Sequence, residues 1–322
     1  MNKIKVVAGI DIGGTNSVLG LVDAKGNCLV KDSLPTDAQN GPDILFETIF
    51  NRIDELIFRH EQALDLIGIG VGAPNANYYS GTIENPVNLG WGIVNVVKKI
   101  DEHYHLPGAI TNDANAAALG EMEFGVAKGM QNFIEITLGT GLGSGIIVNG
   151  ELVYGQDGFA GELGHITVKR DGRKCGCGRL GCLEAYVSAT GLKRTALTLM
   201  AKMTVNSTLR LLAPVALTSK DVFDAAVLGD ELARECFQYT ATFLGRALAD
   251  CVAIFSPEAF IFTGGMAKAG DLLLEPTKQI MEQSLLPVFR NKVKLLPSGM
   301  DAGDAAILGS AALIWHQKHA QG

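Results

Sequence analysis

No stretch of this 322-residue chain approaches the ~18 consecutive apolar residues that span a bilayer. A helical membrane protein is therefore excluded. Positive charge is scarce too: 27 Lys and Arg stand against 34 Asp and Glu, a net charge of −7. Nucleic-acid binders need a basic face, so no nucleic-acid partner is expected. The opening Met1-Asn2-Lys3-Ile4-Lys5 carries two lysines, but the apolar stretch before Asp11 is too short for a secretory signal, which points to the cytoplasm. Charged residues amount to 19%, below the ~25% of an average soluble domain, while 47% are hydrophobic. That balance excludes global disorder. Only 10 prolines occur, and no Pro- or Ser-rich linker divides the chain. At ~150 residues per domain, two domains meeting at a helical hinge, or one large domain, are expected.

Glycine is plentiful instead, 39 residues or about 12% against ~7% ordinarily. With no collagen period, such an excess marks places where backbone turns sharply or approaches a ligand. The six cysteines are unevenly placed. Cys28, Cys236 and Cys251 stand singly in apolar stretches and read as small buried hydrophobes. Cys175, Cys177 and Cys182 crowd into eight residues, which in a reducing compartment reads as metal before disulfide.

Periodicity predicts strands over residues 5–12, 17–22, 28–31, 66–71, 109–111, 133–138, 145–148, 259–262 and 293–295. Helices are predicted over 42–63, 94–104, 114–124, 191–202, 221–228, 230–255, 272–285 and 304–315, and an irregular stretch over 72–91. Strands alternating with helices indicate an α/β protein. Ile10-Asp11-Ile12-Gly13 is echoed 126 residues later by Ile136-Thr137-Leu138-Gly139. This weak repeat predicts two similar sheets, each offering a glycine hairpin.

Three glycine clusters end strands. Asp11-Ile12-Gly13-Gly14-Thr15-Asn16 places a carboxylate before a glycine turn and a hydroxyl after it. Backbone N–H groups there can form a nest for phosphate, with Asp11 holding Mg²⁺ through water; an ordinary hairpin is the plain alternative. Neither a P-loop nor a dinucleotide fingerprint fits, because no Gly-Lys-Ser/Thr follows and a strand comes next. The second cluster spans Thr140, Gly141 and Gly143, and the third is Thr263-Gly264-Gly265, suited to an adenine or ribose against bare backbone. Asn112-Asp113 ends a strand and opens an Ala-rich helix. Asp113 is either a helix N-cap or a general base at the carboxyl end of a strand.

Gly161-Glu162-Leu163-Gly164-His165 precedes Cys175-Gly176-Cys177-Gly178-Arg179-Leu180-Gly181-Cys182-Leu183-Glu184. His165, Cys175, Cys177 and Cys182 supply a tetrahedral Cys₃His zinc set with no open position, hence a structural ion. Such an ion would stiffen the loop and fix Glu162, His165 and Glu184 as sugar-facing groups.

These motifs, with Asp304-Ala305-Ala306-Ile307-Leu308-Gly309 near the end, resemble the ROK family of sugar kinases and regulators over essentially the whole chain. The resemblance implies an actin-like fold of two ribonuclease-H-like lobes with ATP and sugar in the central cleft. It implies a small lobe of residues 1–115 with 303–322 and a larger one of 116–302, the final helix packing back on the first. Asp113 would be the catalytic base, and Asn112, Glu162, His165 and Glu184 would hold sugar hydroxyls. Asp11, Gly13, Gly14, Thr15, Asn16, Thr140, Gly141, Gly143, Gly264 and Gly265 would hold the nucleotide. Asn88-Leu89-Gly90-Trp91 looks most like the glucokinases. Asn16 stands where many members have Lys, and Pro74-Asn75-Ala76-Asn77 replaces a more usual Pro-Gly-x-Val near the sugar. Phosphorylation of the 6-hydroxyl of glucose is therefore expected, with an N-acetylhexosamine, mannose or fructose kinase as the alternative. A sugar-sensing transcriptional regulator is the rival from another class; it would carry a helix-turn-helix ahead of residue 4, and acidic charge suits DNA poorly. A dimer or larger homo-oligomer is implied.

Overall fold

The computed structural model describes residues 3–301 and 303–319. Its first half runs β1 (Ile4–Ile12), β2 (Asn16–Asp23), β3 (Cys28–Pro35), α1 (Pro42–Arg59), β4 (Leu64–Gly72), β5 (Ala76–Asn77), β6 (Thr82–Glu84), β7 (Ile93–Asn95), α2 (Val96–Tyr104), β8 (Gly108–Thr111) and α3 (Asp113–Phe124). The second runs β9 (Phe133–Leu138), β10 (Leu142–Val148), β11 (Glu151–Leu152), α4 (Glu184–Val187), α5 (Ala189–Lys202), α6 (Ser219–Val227), α7 (Glu231–Phe255), β12 (Ala259–Thr263), α8 (Asp271–Ser284), β13 (Lys294–Pro297) and α9 (Ala305–His319).

Two five-stranded sheets share one topology, β3-β2-β1-β4-β8 and β11-β10-β9-β12-β13. In each, an antiparallel hairpin leads and two parallel strands follow the central one. The 126-residue echo is thus the trace of a repeated sheet. The alternation of β1 explains its layers. Val6, Ala8, Ile10 and Ile12 pack with Phe46, Ile49 and Ile53 of α1, whereas Val7 joins a separate core with α9. In β9, Ile134, Ile136 and Leu138 face the core built from α5 to α8, and Phe133 shares the α9 core. Helices α3 and α9 therefore lie between the sheets. Small residues permit this closeness: a Cβ on Gly9 or Gly70 would fall 2.1 Å from the Ile307 carbonyl oxygen or 1.8 Å from that of Ser310.

Several expectations need adjusting, among them β3, which runs on to Pro35, and β10, which starts at Leu142. The 72–91 stretch holds β5 and β6, which with β7 form a small antiparallel sheet of strands two or three residues long, too short to show a period. Helix α1 stops at Arg59, where His60 turns extended. Helix α2 starts at Val96, two residues late, because the Asn95 side chain accepts the Lys98 N–H and caps it there. Among the described residues, no helix is long and apolar enough to cross a membrane.

Candidate active site

A cleft of about 660 Å³ opens between the sheets. Asp11, Gly13 and Gly14 line it from the first hairpin, Gly264 and Gly265 from the end of β12, and Asp113 from the start of α3. The first hairpin is closed by Gly13 N–H to the Asn16 carbonyl at 3.1 Å, and Thr36 Oγ1 donates to the Gly13 carbonyl at 2.8 Å. Gly14, Thr15 and Asn16 are exposed, with Gly14 against Asn88, another cleft residue. Glycine is required at 264 on two counts, a left-handed φ of 86° and a Cβ position 2.5 Å from the Leu138 carbonyl oxygen; Gly265 has open space.

The capping question at Asn112-Asp113 is settled by geometry. The Asn112 side chain accepts the Asn115 N–H at 2.7 Å and is the N-cap of α3. Asp113 is the first helical residue, exposed, its Oδ1 accepting the adjacent Ala114 N–H at 2.9 Å. Its carboxylate thus faces the cleft at a helix N-terminus, a position that favours negative charge. The Asp11 carboxyl is pushed up to about 6, first by burial and then by the Asp113 charge. The two carboxyls therefore sense one another within the cleft.

The remaining predicted groups form a second cluster beside this one. Glu162 has its carboxyl held above the ordinary range by desolvation first; His165 opposes this, and the Asp113 and Glu184 charges add to it. Glu162, His165, Glu184 and Asp113 therefore share one electrostatic neighbourhood. His165 closes a short 3-10 turn, Leu163–His165. Its Nδ1 lies 3.8 Å from Cys175 Sγ, and Cys177 Sγ lies 3.7 Å from Cys182 Sγ. All four ligand atoms fall within 4.8 Å of one another. Thiolates placed ~2.3 Å from one tetrahedral zinc are separated by roughly 3.8 Å, so the donor set fits that ion. Glu184 Oε2 accepts the Leu142 N–H at 3.0 Å, while Oε1 stands 3.3 Å from Cys175 Sγ.

Thr140, Gly141 and Gly143 do not line the cleft described above. A Cβ on Gly141 would strike Glu184 at 2.5 Å, and one on Gly143 would strike Ala114 at 2.9 Å. Thr140 is exposed at the hairpin tip, and its carbonyl accepts the Thr190 hydroxyl at 3.1 Å. Asn77 turns toward the second half, donating to the Asp157 carbonyl at 2.9 Å, while Tyr78 stacks on Tyr154 with centroids 4.2 Å apart. Sequence reasoning missed Lys268, Thr137, Ser298 and Met300, all cleft-lining. Lys268, three residues beyond the Gly264-Gly265 turn, was the one with a usable signal: a cation beside a bare-backbone turn.

The ROK family profile matches residues 7–318, and the chain belongs to the ROK family. It is 38% identical over 320 residues to a glucokinase of Halalkalibacterium halodurans, covering 97% of this chain and 95% of that protein. A solved ROK family glucokinase from Streptomyces griseus, in complex with glucose and AMPPNP, superposes with a TM-score of 0.77 at 33% identity, covering 96% of this chain and 98% of that one. A xylose repressor of Bacillus spizizenii is 29% identical over 96% of this chain and 77% of its own length. The fold is the actin-like ATPase fold of the ROK sugar kinases.

Proposed function

We propose that this ATP-dependent sugar kinase transfers the γ-phosphoryl group of ATP to the 6-hydroxyl of glucose. One observation carries the reading: Asp113, Asp11 and the glycine turns of two sheets converge on a single cleft. The Asp113 carboxylate would orient the acceptor hydroxyl and take its proton as the new O–P bond forms and the bond to ADP breaks. Asn112, Glu162, His165 and Glu184 are assigned to sugar hydroxyls. His165 keeps its Nε2 for that contact, since Nδ1 faces the cysteines. Gly13, Gly14, Thr15, Asn16, Thr140, Gly141 and Gly143 are assigned to the phosphates, and Gly264 and Gly265 to the adenosine. Closure of a small lobe (1–115 and 303–322) on a larger one (116–302) would exclude water; residues 1–2, 302 and 320–322 of that division lie outside the described ones.

Asp11 is the side chain suited to Mg²⁺, which when bound neutralises charge on the β- and γ-phosphates. His165, Cys175, Cys177 and Cys182 would hold a structural zinc, all four positions being filled by protein. Cytoplasmic placement and assembly into a dimer or larger homo-oligomer complete the reading.

A coupled ADP-release assay across glucose, mannose, fructose and N-acetylhexosamines tests it. Glucose is expected to give the highest kcat/KM. Preference for an amino sugar would move the assignment to an N-acetylhexosamine kinase. The similarity to a xylose repressor supplies the second reading, a sugar-responsive regulator, which tight sequence-specific DNA binding without turnover of any hexose would favour.

A further inference from the structure

Beneath the cleft floor lies a carboxyl group that the proposed reaction does not use. Strand alternation puts Glu135 and Thr137 on the face of β9 that looks between the sheets, and Thr263 pairs with Thr137 across β12. Glu135 is wholly buried. Its Oε1 accepts the hydroxyls of Thr137 at 2.9 Å and Thr263 at 2.5 Å, and the two hydroxyl oxygens stand 3.0 Å apart. Oε2 is buried without a partner. Both threonines line the cleft beside Gly264 and Gly265, on the side assigned above to the nucleotide.

Counting hydrogens decides what this trio can offer a ligand. An ionised Glu135 accepts only, so it draws both threonine hydrogens inward and leaves lone pairs facing the cleft. A neutral Glu135 brings a third hydrogen. Its O–H can donate to one threonine oxygen, freeing that threonine to donate outward. Phosphate oxygens accept hydrogen bonds and are repelled by lone pairs.

We propose that Glu135 is a positioning residue whose neutral acid form turns a Thr137 or Thr263 hydroxyl toward a phosphate oxygen of the bound nucleotide, and whose ionised form turns it away. The inference rests on the nucleotide assignment given above. Burial, first, and then the Glu121 and Asp113 charges on α3 push the Glu135 carboxyl up to about 8, with the two threonine bonds opposing. The side chains packed on it from β9 and β12 are the uncharged Thr137 and Thr263. The neutral form therefore prevails at pH 7, and ionisation begins in the mildly alkaline range.

Calorimetric titration with ADP between pH 7.5 and 9.5 tests this without turnover. In the wild-type protein, Kd is expected to rise about tenfold over that range, the scale of one hydrogen bond to a charged group. Glu135→Gln, whose amide both donates and accepts at every pH, is expected to keep the pH 7.5 affinity and to flatten the rise. Thr137→Val, which removes a floor hydroxyl, should be weak already at pH 7.5. An unchanged alkaline slope in Glu135→Gln, with ADP binding intact, overturns the role of Glu135 alone. Absence of ADP binding to the wild-type protein at every pH overturns this role together with the nucleotide assignment.

Discussion

Glu184 joins the cysteine loop to the second glycine hairpin: one carboxylate oxygen accepts the Leu142 N–H at 3.0 Å and the other lies 3.3 Å from Cys175 Sγ. The residue begins α4 two positions after Cys182, so the loop that carries the thiols also aims this carboxylate. Anything that loosens the thiols therefore loosens a group proposed for the sugar and a turn proposed for the phosphates.

Zinc removal follows from that coupling. Protein purified without chelator is expected to hold about one zinc per chain. Chelation, or Cys177→Ser at the exposed thiol, should lower Tm and raise KM for the sugar about tenfold or more, with a smaller effect on ATP. Metal analysis with initial-rate kinetics checks both. Full sugar affinity in metal-free protein would separate the loop from the sugar site.

Asp113→Ala removes the proposed base while leaving the Asn112 cap of α3 in place. A general base contributes on the order of 10²–10⁴ in rate, so kcat should fall by that factor at least. Glucose affinity, read by calorimetry, should change only a few-fold. A near-normal kcat would remove the base assignment.

Much of this frame is legible from residue order because the relevant signals are local. Period-two alternation in β1 sets Ile10 and Ile12 on the α1 side and Asp11 on the other. The cysteine spacing announces a donor set before any folding. What residue order hides is set by distant neighbours. Gly141 and Gly143 read from residue order only as turn glycines, whereas the fold packs Glu184 and Ala114 where their side chains would be. Glu135 reads as one acidic interruption in an apolar strand, and only β12 pairing supplies the Thr263 that gives it a place under the cleft. The strands β5 to β7 escape because two or three residues carry no period.

Asp11 makes two predictions of opposite pH sense. Its folded carboxyl titrates near 6 rather than at 3.8, so the folded state holds a proton that the unfolded state releases. Stability is consequently lost as pH rises from about 4 to 6. Asp11→Asn should be more stable than wild type at pH 7, by about 2–3 kcal/mol at most, in urea unfolding without metal or nucleotide. The same titration governs cation binding, since only the carboxylate is a ligand. Below pH 6 the Mg²⁺ concentration for half-maximal activity should climb about tenfold per pH unit. A flat dependence would place the ion elsewhere.

The final helix is held by a charged contact with the opposite sense at each end of its pH range. His316 Nδ1 meets Glu123 of α3 at 3.0 Å, and His319 Nδ1 meets the other oxygen at 2.9 Å. The hydrogen bond to Glu123 raises the His316 pKa, with burial opposing. At Glu123, burial pushes upward, but the bonds from His316 and His319 outweigh it and leave the carboxyl below its ordinary value. The His316 contribution is therefore complete below the unfolded histidine pKa of ~6.5 and is lost as pH rises through the raised folded value. The Glu123 contribution is present above the unfolded value and is lost as pH falls through the lowered one. Both act together only in mildly acidic solution. His316→Ala should thus cost about 1–2 kcal/mol at pH 6 and distinctly less at pH 8.5. Because α9 lies between the sheets and packs on β1 and β4 through Gly9 and Gly70, the loss should appear as a lower global Tm and not as local fraying. An equal cost at both pH values would show that His316 acts by packing and not by charge.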